Sequence, residues 1–155
     1  MKRVMFISST GGHLNELLML KSIFNDYDYS LVTEYDKTTK DLGKKYKNVS
    51  YLVYGTKDHL FTYIFKFLWN IIKSIYLYIK YKPSVIVTTG THTAVPMCYL
   101  GHWFGSKVIF IETFANSKTR TLSGRMVYKI ADTFVVQWPE MKKLYPKAEV
   151  WGWIY

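Results

Sequence analysis

Val4-Met5-Phe6-Ile7-Ser8-Ser9-Thr10-Gly11-Gly12-His13-Leu14 passes from an apolar run through three hydroxyl side chains into a glycine pair and then into a helical pattern. The run predicts a buried strand, the glycines a tight turn, and the residues from Leu14 onward a helix. Glycine permits a sharp turn and lets a ligand approach the main chain. The first N–H groups and the positive dipole end of the helix favour an anion such as a phosphate. His13 stands at the mouth of that turn. Taken alone, the segment is either an ordinary strand-to-helix connection or the start of an anion site.

The same alternation continues outward. A helix is predicted over 14–24, a strand over 29–33, a lysine-rich helix or loop reaching 47, and a strand over 49–54. After a long segment over 60–81 and Pro83 come a strand over 85–89, a turn at Gly90, a helix reaching 104 and a strand over 107–112. A loop over 113–120 leads to a helix ending near 131, a strand over 133–137 and a short helix opened by Pro139. Such alternation gives an α/β fold, a Rossmann-like parallel sheet with helices on both faces, whose ligands gather at the carboxyl ends of the strands. Three loops lie at such ends: 9–13, 90–96 and 112–123.

A chain of 155 residues is long enough for one domain with a real core and short for two, so 1–155 is expected to form one unit. Aromatic residues make up 18% of it, with 14 Tyr and 5 Trp. Rings with an apolar body and a polar edge suit protein interfaces and membrane surfaces. The 21 Lys and Arg against 11 Asp and Glu give a charge of +10, which attracts nucleic acid, anionic lipid or phosphorylated substrates. No zinc-ligand spacing, basic heptad segment or aromatic signature of an RNA-binding sheet is present, so no nucleic-acid partner is expected. The single cysteine, Cys98, fits a reducing compartment. The apolar run after Lys2 and Arg3 is too short for a signal peptide, so the protein is expected in the cytoplasm.

The segment over 59–82 is mostly apolar, with Lys66, Lys73 and Lys80 spaced by seven. At about 100° per residue this spacing drifts by only about 20°, so Lys66, Asn70, Lys73, Ser74 and Lys80 are expected to form one polar stripe on an aromatic cylinder. Spanning a bilayer would bury lysines at roughly 2.5–3.5 kcal/mol each near its centre. The favoured reading is therefore a monotopic helix lying in the interface, attached through Phe65, Leu68, Trp69 and Ile72 with its lysines reaching the head groups. A sheet-covering helix whose stripe faces water and a transmembrane span are the alternatives.

Further motifs follow: Thr89-Gly90-Thr91-His92-Thr93-Ala94-Val95-Pro96, Ile111-Glu112-Thr113, Leu122-Ser123-Gly124-Arg125 continuing to Ile130-Ala131-Asp132, and Gln137-Trp138-Pro139. With Gly11-Gly12-His13, this set resembles the N-terminal, acceptor-binding half of a GT-B glycosyltransferase, as in the peptidoglycan enzyme that glycosylates a lipid-linked muramoyl peptide. It resembles more closely the small separate subunit that recruits a catalytic partner to the membrane in dolichol-linked oligosaccharide synthesis, and bacterial capsule and exopolysaccharide proteins of that type. The likeness covers nearly the whole chain. The peptidoglycan enzyme has a glycine-rich turn where this chain keeps only Gly90.

The resemblance implies a subunit inactive alone, because a full GT-B enzyme needs a second half for the nucleotide sugar and no room remains for it after Tyr155. It implies a catalytic, donor-binding partner carrying a UDP-sugar, an acceptor saccharide on undecaprenyl pyrophosphate, and inverting transfer of the N-acetylglucosaminyl or galactosyl type at the cytoplasmic face of the plasma membrane. Gly11 and Gly12 would place N–H groups beside the acceptor pyrophosphate, and Thr91, His92, Asn116 and Arg120 would add contacts to it. His13 and Glu112 are the candidate general bases; a loop-completing histidine and a turn-capping glutamate are their structural alternatives. The tail with Trp151, Trp153 and Tyr155 is expected either to dock the partner or to form a last strand. No Asp-x-Asp motif occurs, and no metal or cofactor is expected. Two other readings stand beside this one: a non-catalytic scaffold, and a nucleotide-binding protein supported by Glu34 at the end of the second strand.

Overall fold

The computed structural model describes residues 1–55 and 60–154. In strand β1 (Arg3–Ser8), Val4 and Phe6 enter the core on one face of the sheet while Met5 and Ile7 enter the core on the other. All four are buried, as a central strand of a parallel sheet covered on both sides requires. The remaining strands are β2 (Asp28–Tyr35), β3 (Val49–Val53), β4 (Val85–Gly90), β5 (Lys107–Ile111), β6 (Thr133–Val136) and β7 (Glu149–Val150). They lie in the order β3-β2-β1-β4-β5-β6-β7, every pair parallel. The strand order reverses between β1 and β4, so the connections leaving these neighbours diverge and open a crevice at their carboxyl ends. The register slips there: Ile7 pairs with Thr88, but Ser8 pairs with Gly90.

Helix α1 (Gly12–Met19) continues as a 3-10 helix over Leu20–Asp26, covering one face with Leu17 and Phe24 against Phe6, Tyr29 and Leu31. The other face is covered by α2 (Leu60–Tyr81) and α3 (Val95–Phe104), and α4 (Leu122–Val127) packs beside α3. Helix α4 ends earlier than the pattern predicts. The lysine-rich segment carries only a 3-10 turn, Leu42–Lys44.

Helix α2 does not turn the expected stripe outward. Asn70 and Ser74 are buried against the sheet. The Asn70 amide pairs with the Val53 peptide group, Oδ1 accepting from Val53 N and Nδ2 donating to Val53 O, each at 2.8 Å. Val53 lies on the edge strand, so this side chain satisfies backbone groups that no neighbouring strand reaches. The stripe is thus split, with its amide and hydroxyl turned inward. On a helical wheel its lysines fall between the buried face and an open apolar face. That open face carries Phe61, Phe65, Leu68, Trp69, Ile72 and Ile79, each at least 50% exposed. A covering helix that shows water a polar stripe is therefore not what forms. Among the described residues, no helix is long and apolar enough to cross a membrane.

Candidate functional site

The crevice between β1 and β4 is framed by the glycine turn. Gly11, at φ 77°, caps α1, which makes His13 the second helical residue. Nothing stands within 4 Å of where a Cβ on Gly11 or Gly12 would lie, so the outer surface of the turn is open. His13 Nδ1–H donates to the Thr89 carbonyl at 2.8 Å, and Thr89 Oγ1 donates to the His13 carbonyl at 2.6 Å. A carbonyl only accepts, so Nδ1 carries the proton, and in the neutral ring Nε2 is the basic nitrogen. Gly90, at φ 99°, lies between two polar groups: a Cβ there would stand 3.5 Å from both His13 Nδ1 and Ser123 Oγ.

Thr91 and His92 join this crevice through β1. Ser9 Oγ is 2.6 Å from Thr91 Oγ1 and accepts from Thr91 N at 3.0 Å, while Thr91 Oγ1 is 3.2 Å from His92 Nδ1. His92 Nε2 lies 3.7 Å from Glu34 Oε1. Glu34 is 2% exposed and accepts from Thr10 N, Thr10 Oγ1 and Thr93 Oγ1 at 3.2, 3.3 and 2.5 Å. It ties two loops to the end of β2 from within and does not present its carboxylate to a ribose, which removes the support for the nucleotide-binding reading.

Glu112 closes the end of β5 from inside. Its carboxylate, also 2% exposed, accepts from Tyr145 Oη at 2.9 Å, Thr121 Oγ1 at 3.0 Å and Thr113 N at 3.2 Å. Burial raises its pKa above the ordinary carboxylate value, partly offset by the donors from Tyr145, Thr121 and Thr113. Thr121 also caps α4, accepting from Gly124 N at 3.0 Å. Gly124 fits here because a Cβ would press on Glu112 Oε2, Tyr145 Oη and Thr121 Oγ1. The arrangement anchors the start of α4.

A pocket of about 340 Å³ adjoins the crevice, lined on the polar side by Thr91, His92, Thr121 and Ser123. Asn116 and Arg120 do not line it. Asn116 Oδ1 accepts from Thr119 N and Oγ1, shaping its own loop, and the Arg120 guanidinium lies 5.5 Å from the centre of the Tyr145 ring. The structure therefore gathers Gly11, Gly12, His13, Thr91 and His92 at one place and sets Glu112 behind them.

In the tail, Val150 pairs with β6, and Trp151 and Trp153 are 48% and 73% exposed; Tyr155 lies outside the described residues. Trp153 stacks on Phe114, whose ring lies tilted against Trp138, with centroids 4.9 and 4.7 Å apart. Glu16 on α1 holds the adjoining loop, accepting from Thr113 Oγ1 at 2.8 Å and Phe114 N at 3.1 Å. Ser9 and Thr121 fall in loops that the sequence placed at the strand ends but were not singled out as side chains, and Glu16 and Tyr145 escaped the sequence reading as parts of this region. Only Thr121 carried a local signal, a hydroxyl residue just before a helical pattern.

The profile of the family described as oligosaccharide biosynthesis protein Alg14 like matches residues 4–154. The chain is 28% identical over 174 residues to the UDP-N-acetylglucosamine transferase subunit alg14 of Schizosaccharomyces pombe, covering 97% of this chain and 82% of that protein. Among solved structures it resembles Acinetobacter baumannii MurG (TM-score 0.71, 16% identity, 90% of this chain) and the UDP-N-acetylglucosamine 2-epimerase of Rickettsia bellii (TM-score 0.72, 14% identity, 94% of this chain). It spans 43% and 41% of those two chains. At these identities the structural likeness shows the fold: a Rossmann-like half of the kind found in both.

Proposed function

Because the chain belongs to the Alg14-like oligosaccharide biosynthesis family, we propose that it is the acceptor-side subunit of a two-chain glycosyltransferase. It holds a saccharide carried on a polyprenyl diphosphate while a second polypeptide brings the UDP-sugar, UDP-N-acetylglucosamine by the name of its fission-yeast relative. The setting is capsule or exopolysaccharide assembly on undecaprenyl diphosphate at the cytoplasmic membrane face.

The observation that carries this reading is the convergence of the open glycine turn, the pinned His13 and the Thr91–His92 loop at the β1/β4 crevice, next to a helix with an open apolar face. The glycine turn receives the diphosphate, and Thr91 and His92 contact the acceptor. His13 Nε2 takes the proton of the attacking hydroxyl as its oxygen bonds to the sugar C1; the bond from C1 to UDP breaks and the electron pair leaves with UDP. Such a base contributes about 10²–10⁴ in rate. The enclosed Glu112 supports α4 from behind, and Asn116 and Arg120 order the loop above it.

The partner docks on the tail. Trp151 and Ile154 form one rim of an apolar trench over β1, β4 and β5, with Leu20, Ile23 and Tyr27 on the other side. A partner segment laid there covers sheet that α1 leaves open, and the Trp153–Phe114 stack brings it to the edge of the site.

The test is His13→Ala in the reconstituted pair. An acceptor-site role gives a loss of turnover of at least about a hundredfold with the complex intact. Turnover unchanged refutes it and leaves the scaffold reading, which the full enclosure of Glu112 favours.

A further inference from the structure

We infer that the protein meets the membrane through two elements, the open face of α2 and the end of α3, where Trp103 and Phe104 enter an anionic bilayer beside it. The inference rests on the membrane setting proposed above and not on the chemistry at the crevice. Trp103 and Phe104 are 68% and 69% exposed, although they close a helix whose other apolar side chains are buried or half-buried. Their place is fixed. The Phe104 ring lies against Tyr78 of α2 with centroids 5.7 Å apart, Tyr78 Oη is 2.7 Å from Ser106 Oγ, and Trp103 meets Tyr99 edge-on at 5.7 Å. On the helical wheel of α2, Tyr78 lies toward α3, whereas Lys66, Lys73 and Lys80 lie on the opposite flank of the open face. The apolar surface therefore runs from the lysines across Trp69, Ile72 and Ile75 to Phe104 and Trp103.

The charge of this layer identifies what covers it. Helices α2, α3 and α4 contain no Asp or Glu, and their permanently charged side chains are Lys66, Lys73, Lys80 and Arg125. The chain has 11 acidic residues, and α1 on the opposite face carries one of them, Glu16. Asp132, which follows α4, is paired with Lys107 at 2.8 Å. A water-facing helical layer turns charged and polar residues outward, and this one turns out rings and branched side chains. Large apolar side chains bordered by cations without counter-charges match an anionic bilayer: the rings take the interface and the cations take the head groups. Two contacts also do what one helix does not. Helix α2, about 33 Å long at 1.5 Å per residue, is free to roll about its own axis on a membrane; a second contact one helix spacing to the side, about 8–10 Å, stops the roll. Helix α2 starts beside the crevice, where the Tyr63 and His92 rings lie 5.6 Å apart, so the fixed roll holds the crevice next to the bilayer surface.

The experiment labels the full chain with bimane at Trp103→Cys or, at the end of α1 on the other face of the sheet, at Met19→Cys; the native Cys98 is buried and does not compete. Vesicles of phosphatidylglycerol and phosphatidylcholine carry a nitroxide on the upper acyl chain. Quenching is expected at position 103 and not at position 19. Trp103→Gln combined with Phe104→Gln is expected to weaken co-sedimentation with these vesicles at least about tenfold while the thermal midpoint stays in place. The wild type should bind phosphatidylcholine alone at least about tenfold more weakly. No quenching at position 103, equal quenching at position 19, or wild-type sedimentation of the double variant overturns the inference. So does a double variant that keeps the membrane but loses a co-purifying protein, which assigns the end of α3 to a protein contact. The two proposals fail separately: a labelled chain that sediments with vesicles yet stays unquenched at position 103 contradicts the α3 contact alone, and a reconstituted pair that glycosylates no lipid diphosphate contradicts the function alone.

Discussion

Replacing Phe65, Leu68, Trp69 and Ile72 together by Gln should detach the protein from membranes without unfolding it. Full burial of a large apolar side chain is worth about 1.5–3 kcal/mol. These four are 71%, 50%, 55% and 57% exposed, so much of that gain is still unrealised in the folded chain. Transfer into a bilayer interface then yields roughly 1–2 kcal/mol per residue, or about 4–8 kcal/mol for the set. At about 1.4 kcal/mol per tenfold, the partition coefficient onto vesicles should fall at least about a thousandfold. Gln is a good helix former, and these side chains point away from the core, so the thermal midpoint should hardly move. Lys66 and Lys80, both exposed, should add about 1 kcal/mol each on anionic vesicles, lost at high salt. Co-sedimentation with phosphatidylglycerol-containing vesicles at low and high salt reads both effects. If the quadruple variant sediments like the wild type, the open face of α2 is not the attachment surface.

Three further outcomes follow from the site. Gly124→Ala drives a methyl group into the cage of Glu112, Tyr145 and Thr121; overpacking and a weakened charged hydrogen bond, less about 1 kcal/mol of helix propensity, should cost about 2–4 kcal/mol in urea unfolding, and unchanged stability would show that the cage yields. Glu112 has a folded pKa raised above its usual 4.5, so the folded chain keeps this proton where the unfolded chain releases it; its contribution is full below the ordinary value and declines as pH rises through the raised one. Glu112→Gln should therefore flatten the pH dependence of the urea midpoint in that window, and an identical slope in both proteins refutes the assignment. Trp153→Ala should weaken partner binding by about 2 kcal/mol, roughly thirtyfold, in a pull-down titration, and an unchanged affinity removes the tail from the interface.

The parallel α/β class was legible because Val4 to Ile7, Val85 to Val87 and Val108 to Ile111 are short apolar runs alternating with helical patterns, whereas the order of the strands was not read from the sequence. The glycine turn was legible for the same local reason. The face of α2 was not. Periodicity groups Lys66, Asn70 and Ser74 as polar, but only the tertiary structure shows that Asn70 meets the edge peptide at Val53, seventeen positions away. Glu112 and Glu34 pose the same difficulty. A carboxylate at a strand end signals a ligand or a brace equally well, and the partners that make these two braces, Tyr145 and Thr93, lie 33 and 59 residues off. His13 was placed at the crevice from local signals, although its tautomer depends on Thr89, 76 residues away.

The central claim is that this chain holds the acceptor and another chain brings the donor. Its most direct test is transfer of labelled N-acetylglucosamine from its UDP derivative to a saccharide on a polyprenyl diphosphate, measured with the purified chain, with its co-purifying partner, and with both. The account predicts product only when both are present. Product formed at the full rate by either chain alone would contradict it.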